Sequence, residues 1–379
     1  MRRALEHCDG DASRGVRSLF RAPRRLAQIA GTCRDVVEIL LCSCPAGDVT
    51  RSCMAQPSGR AAARALAFWR VSRRAHSSDT PGAIFRSSRA NKTGLSHALD
   101  GAMRDGSHDM RVFGTGTLAA LASRSAYASF TAAHYHFYAE LEARLDDAAR
   151  GPAPTPTGAL WSRFGSELRR APALEADLAT LLDVETPAAM PPTPATEAYI
   201  RAIADAYERE AGEPRGATAT ATASADPPPP LLLAHFYARY LADLFGGSLL
   251  GWPTKRALGF PRVPRFYVHD VFERASGAVD RAAYVESVYE AINAVGAGLS
   301  ERATAEVAAE AKRAFARNAA VYAEGRGSSR FAAAAGGARV MWGYAKERVW
   351  GAREQRDLFG RLVARRDPKT GEFAKGERA

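Results

Sequence analysis

The stretch LLLAHFYARYLADLFGGSLLGWP, residues 231–253, is so apolar that as a helix it reads as buried. Burying it takes other helices, and the chain supplies them. Segments at about 95–108, 116–147, 160–170, 172–183, 194–211, 279–299 and 301–324 are rich in Ala, Leu, Glu and Arg with apolar residues at helical spacing, as is 231–250. Alternating β-branched runs are missing. The sequence therefore predicts an all-α domain over residues 93–325. Two low-complexity breaks, 149–158 and 212–230, cannot pack a core and read as solvent loops.

The buried stretch carries Asp243 and the pair Gly246-Gly247 in its middle. A glycine inside a helix costs ~1 kcal/mol relative to alanine. Residues i, i+3 and i+4 share a helix face, so Ala242 and Gly246 with Asp243 and Gly247 form a stripe with little bulk and one carboxylate. Such a stripe lets a flat ligand lie against the backbone. It equally serves tight helix–helix packing, with Asp243 paired to Arg239 one turn earlier. Spacing alone leaves both readings open.

The net charge of +11 points to nucleic acid only until it is located. Residues 1–92 hold 17 Lys+Arg against 7 Asp+Glu, leaving 35 against 34 for the remainder. A nucleic-acid partner thereby loses its main support. All five cysteines, Cys8, Cys33, Cys42, Cys44 and Cys53, lie in the same leader, so the rest offers no disulfide, thiolate metal site or cysteine nucleophile. From Met54 the leader is arginine-studded and acid-poor, the pattern of an import presequence for plastid or mitochondrion; a spurious upstream exon is the alternative. Its apolar runs, ILLC among them, are too short to span a bilayer, and a soluble organelle protein without a transmembrane anchor is expected. Residues 326–379 form a basic, partly helical extension. Within it RVMWGYAKERVWGAREQRDLFGRLVARR reads as an amphipathic helix packed loosely on the domain, or as a docking surface for an acidic partner.

AHFYARYLADLFGGSLL resembles the distal helix of heme oxygenases, A-H-x-Y-x-R-Y-L-G-D-L-S-G-G-x-x-L. HYHFYAELE, ELRRAPALEADLATLL and EAKRAFARN resemble three further segments of that family, in the family's order. The resemblance implies a single helical domain that sandwiches heme between a proximal histidine helix and a kinked distal helix. It implies that heme, O2 and electrons from ferredoxin or an NADPH-linked reductase give biliverdin, CO and Fe2+. It places Asp243, Gly246, Gly247 and Arg239 in the catalytic set and Tyr237, Ala242, Phe315 and Asn318 against the heme. The glycines would let the backbone close over the ring, and Asp243 would hold water that delivers a proton to the reacting oxygen. Heme and an electron-donor protein are the partners expected, with the chain a monomer.

The iron ligand is expected near LSHALDGAMRDGSH, where His108 stands one place beyond the family spacing, which falls on Ser107. His108 is the first choice for heme iron and His97 the second, and a chain with no proximal histidine stays open. The family's glutamate one turn later is Val112 here. Ala242 replaces the first distal glycine and Phe245 a small polar residue. Where the family grips the heme propionates with Lys and Arg, alignment through Asn293 gives Val285 and Tyr289. These departures motivate a second reading, a heme- or tetrapyrrole-binding protein of the same fold without turnover. A di-iron site is excluded at the level of motif, since no Glu lies three residues before any histidine.

Overall fold

The computed structural model describes residues 88–104, 110–150, 154–212, 227–273, 279–324, 329–350, 354–366 and 373–375. The leader, with its expected presequence, lies outside them apart from its last residues, and so does His108. The described residues are dominated by helices. These are α1 (Gly94–Ala102), α2 (Met110–Ala120), α3 (Arg124–Ala149), α4 (Pro156–Leu168), α5 (Ala171–Leu181), α6 (Pro194–Glu210), α7 (residues 232–258), α8 (Arg281–Gly296), α9 (Glu301–Glu324) and α10 (Arg330–Trp350). The all-α expectation holds for the domain.

The helix α3 is the hub, packed against α4, α5 and α6, while α9 packs on α1, α2, α6 and the start of α7. Its buried residues show why: Tyr127, Thr131, His134, Phe137, Tyr138, Leu141 and Leu145 recur at helical spacing down one side. The five-residue α segment that opens α7, Leu232–Phe236, is buried at every position, as its composition requires.

Boundaries differ from the expected ones for local reasons. The helix predicted over 116–147 is two helices, because Ser123 takes an extended backbone and its hydroxyl caps α3 at Ala126 N, 3.0 Å away. The break at 149–158 is shorter than expected, since Thr155 caps α4 and Pro156 opens it. The helix predicted to stop at residue 250 runs through Pro253 to Leu258, where Gly259 at φ +65° ends it. The first helix, predicted over 95–108, is a regular α-helix only from Gly94 to Ala102. Gly94 is required there: it has φ +67°, and a Cβ would lie 2.7 Å from Asn293 Oδ1. That Asn293 oxygen accepts from Ser96 N at 2.9 Å, and its amide donates to Ala90 O at 2.7 Å, tying α1 to α8.

The chain divides into two units. The helical one comprises His76–Val340 with Arg356–Arg361. The last helix starts in this unit at Arg330, ahead of the stretch expected to form a loosely packed helix, and this first part is close-packed there. Val340 belongs to the core, and a Cβ on Gly336 would fall 1.7 Å from the Leu118 carbonyl oxygen. The helix ends at Trp350, not near residue 366. The other unit includes Met341–Gln355 and Leu362–Ala379, and in it Leu362–Arg366 pairs antiparallel with Phe373–Lys375. These strands belong to a three-stranded sheet, and strands this short have no long alternating pattern to announce them.

Candidate functional site

The glycine-containing helix is not a regular α-helix. Two π segments, Tyr237–Leu241 and Asp243–Gly247, interrupt it between α turns at Leu232–Phe236 and Ser248–Leu258. A π turn widens the helix by one residue and shifts the face that follows, which is why such turns gather at functional sites. Gly246 and Gly247 close the second segment, with Asp243 at its start. Among the described residues, a Cβ built on Gly247 meets Asp243, at 3.6 Å, an ordinary contact. By contrast a Cβ on Gly251 would strike Val263 Cγ1 at 2.6 Å. Among the described residues, helix packing therefore demands glycine at 251 and not at 247.

Asp243 is 6% exposed and sits in a hydrogen-bonded cluster. The Tyr138 hydroxyl, from α3, donates to Asp243 Oδ2. Arg239 donates to the same hydroxyl oxygen from Nε at 3.3 Å and Nη2 at 3.1 Å, and its Nη1 donates to Asn318 Oδ1 of α9 at 2.8 Å. The guanidinium lies 4.0 Å from Asp243 Oδ1 and over the rings of Phe137 and Tyr138. Burial pushes the Asp243 carboxyl above its ordinary range, and the Arg239 charge and Tyr138 hydrogen bond oppose that without cancelling it. Burial alone would lower Arg239, yet the Tyr138 oxygen and Asp243 hold its pKa above the ordinary value. This is a carboxylate on a short leash: buried, next to a permanent cation, and bonded to a phenol. It can hold a proton or an ordered water at a fixed point.

Behind Arg239 lies His134. Its Nδ1 is 2.8 Å from the Phe130 carbonyl oxygen, which only accepts, so Nδ1 carries the hydrogen. Its Nε2 then accepts from the Tyr322 hydroxyl at 3.1 Å. Burial first, and Arg239 second, keep this imidazole neutral, well below its usual pKa.

The expected heme-contact residues separate into two groups. Asn318 joins the Asp243 cluster, whereas Tyr237 turns its hydroxyl to Asp100 of α1 and stacks edge-on with Phe315 at 6.2 Å. Tyr289 also donates to Asp100 Oδ1, at 3.3 Å. Val285, Tyr289 and Asp100 are all fully buried. Ala242 is half-buried beside the cluster, and the Phe245 ring sits 6.1 Å from that of Tyr289. Among the remaining histidines, His235 bonds Glu310 at 3.1 Å and His136 bonds the Met190 carbonyl at 2.7 Å. His97 is exposed and near the Asn91 carbonyl, a poor place for a buried axial ligand.

A family model described as heme oxygenase matches residues 106–324, more than half of the chain. The chain belongs to the heme oxygenase family. Heme oxygenase 1 of Pongo abelii is 32% identical over 139 residues, 37% of this chain and 40% of that protein. Heme oxygenase 1 of Gallus gallus is 27% identical over 192 residues, 51% of this chain and 55% of that one. The chain thus spans about two fifths to just over half the length of these relatives. Among solved structures, heme oxygenase-2 from Synechocystis sp. PCC 6803, in complex with heme and NO, aligns at 25% identity and TM-score 0.48 over 61% of this chain and 84% of that one. Heme oxygenase from Leptospira interrogans aligns at 24% and 0.47 over 61% and 100%.

Two residues of this heme oxygenase family member carry more than sequence reasoning gave them. Tyr138 lies in a segment that matches the family, but nothing in its spacing announced that it would bridge Asp243 and Arg239. Asp100 passed as an ordinary helix residue, since its two tyrosine partners come from α7 and α8, 137 and 189 positions away.

Proposed function

We propose that this chain binds a heme-class tetrapyrrole between α1 and the second π segment of α7 and acts on it as an oxygenase. One observation carries the reading: Asp243 is buried and held by Tyr138 and Arg239, beside a Gly247 whose missing side chain no atom of the described residues requires. A macrocycle lying against that backbone would find a proton-holding group within reach and no side chain in between. Bound heme would supply the oxygen chemistry that no amino-acid side chain can. The protein's part is to place the ring, keep bulk water out and hold a proton at Asp243. Tyr138 fixes the carboxylate, and Arg239 fixes Tyr138. His108, outside the described residues, is proposed as the iron ligand, with Phe315 and Asn318 behind the ring. The products would be biliverdin, CO and Fe2+, with electrons from ferredoxin or an NADPH-linked reductase. The arginine-rich leader supports import into a plastid or mitochondrion.

A second reading, binding without turnover, is favoured by the Val285 and Tyr289 positions and by the bulk of Ala242 and Phe245. The test is absorbance of the full chain with excess hemin, before and after reductant in air. The oxygenase reading expects a histidine-type Soret band that gives way to a biliverdin spectrum. A band that persists leaves the second reading, and no specific band removes both.

A further inference from the structure

The end of α7 that follows its π segments is held by a piece of the C-terminal extension. Arg356–Arg361 belongs to the helical unit, while the chain on either side of it belongs to the other unit. The piece also lies beyond residue 324, where the match to the family ends. It is a self-braced turn: Asp357 Oδ1 accepts from Phe359 N at 2.9 Å and Arg361 N at 2.8 Å, and Arg356 Nη1 donates to the Gly360 carbonyl at 2.8 Å. This turn grips α7. Arg256, 7% exposed, donates from Nη1 to the Asp357 and Leu358 carbonyl oxygens at 2.8 and 2.7 Å. Gly360, at φ +91°, lies directly on Trp252, where a Cβ would fall 1.9 Å from the indole Cδ1. The Arg356 guanidinium stands over the same indole, 5.0 Å from its centroid.

We propose that Arg356–Arg361 is a strap that holds α7 in its closed position and whose release opens the site for ligand entry and exit. Trp252 and Arg256 stand about one and a half and two and a half helical turns beyond Gly247, so whatever fixes them fixes the segment that faces the ligand. The π segments Tyr237–Leu241 and Asp243–Gly247 are wider turns, and a helix bends at such turns. Held at its end, α7 cannot bend there; released, it can. The strap itself contributes little to the core, where Leu358 is its one described residue packed against the buried cluster. It can therefore lift while the other helices stay assembled, as locally opening segments do. The gating role rests on the tetrapyrrole reading above, whereas the hold on α7 is measurable without any ligand.

Two variants of the full chain loosen the strap from opposite sides. Gly360→Ala drives a methyl into the indole and leaves α7 unaltered, and Arg256→Ala removes both bonds to the strap carbonyls. Amide hydrogen exchange on the unliganded chain is the first readout. Amides of Ser248–Leu258 should exchange at least about tenfold faster in both variants, a change of ~1.4 kcal/mol, with the buried α3 amides within about twofold of the natural chain. Stopped-flow mixing with hemin, and transfer of bound hemin to an excess of apomyoglobin, give the second. Entry and exit should quicken by similar factors while Kd stays within about threefold, because a strap shifts the open fraction alike with and without ligand. Exchange that is unchanged, or that rises equally in α3 and α7, would overturn the strap. Faster local exchange with unaltered hemin rates, or a Kd that absorbs the whole effect, would overturn the gating. If the natural chain binds no hemin, the tetrapyrrole reading fails and the gate with it, and the exchange data still show whether the strap holds α7.

Discussion

Replacing Gly247 with alanine separates a glycine kept for a ligand from one kept for packing. The position is helical, at φ −56°, and among the described residues the added methyl would meet Asp243 atoms at 3.6 Å. No described neighbour has to move, so the protein should gain the backbone entropy that glycine forgoes, about 0.5–1 kcal/mol. For a domain of this size that is a rise of roughly 1–4 °C in melting temperature. The ligand should respond in the opposite sense. A methyl between a flat macrocycle and the backbone behaves as overpacking, worth about 1–3 kcal/mol, or roughly five- to hundredfold in hemin affinity. Urea denaturation of the unliganded chain and a hemin titration supply the two numbers. Gly251→Ala serves as the opposite case, because its methyl would collide with Val263 and should destabilise the fold. Loss of more than ~1 kcal/mol in Gly247→Ala would mean that packing needs the glycine after all. A gain in stability with hemin affinity unchanged would refute the claim that a ligand lies there.

Three further outcomes follow from the same contacts. Tyr138→Phe removes the acceptor for two Arg239 N–H groups and the donor to Asp243; a loss of about 2–4 kcal/mol in denaturant titration is expected, and a loss below ~1 kcal/mol would contradict the cluster's role. Burial would raise Glu310, but His235 and Arg313 hold it down to about 2, below the ordinary 4.5. A carboxylate depressed on folding stabilises fully above the unfolded pKa and loses that contribution as pH falls through the folded one. The stability difference between the natural chain and Glu310→Gln should therefore shrink between pH ~5 and ~2; a difference constant across that window would argue against the shift. Gly336→Ala should cost at least ~2 kcal/mol, because its Cβ would overlap the Leu118 carbonyl oxygen, and a neutral result would mean that α10 is not seated against α2.

How far the molecule could be read from its sequence varied with the range of the interaction involved. Helical periodicity gave the fold class, and the ordered set of motifs gave the family. Local breaks were harder. Ser123 separates α2 from α3 by a single cap in an otherwise helical run, and periodicity averaged over a dozen residues passes across it. The glycine pair flagged α7 as special, but the π register depends on which carbonyl each N–H chooses, and side-chain pattern does not record that. The site divided along the same line. Asp243 and Arg239 are one turn apart and could be paired from spacing. Tyr138 and Asp100 join partners a hundred or more residues distant, so their roles appear only once α1, α3, α7 and α8 are assembled. The close seat of α10 was invisible for the converse reason: Gly336 in an alanine-rich helix looks like filler, and its need for contact lies wholly in the Leu118 backbone.

On the proposed function, a buried Asp243 fixed by Tyr138 and Arg239 is what would let this fold act on a bound tetrapyrrole as an oxygenase. The most direct test compares the full chain with Asp243→Ala, each saturated with hemin and given reductant in air, with CO and biliverdin measured. The account predicts hemin affinity within about threefold of the natural chain, less than ~1 kcal/mol, together with loss of biliverdin and CO formation. Biliverdin formed by Asp243→Ala at the natural rate would contradict it.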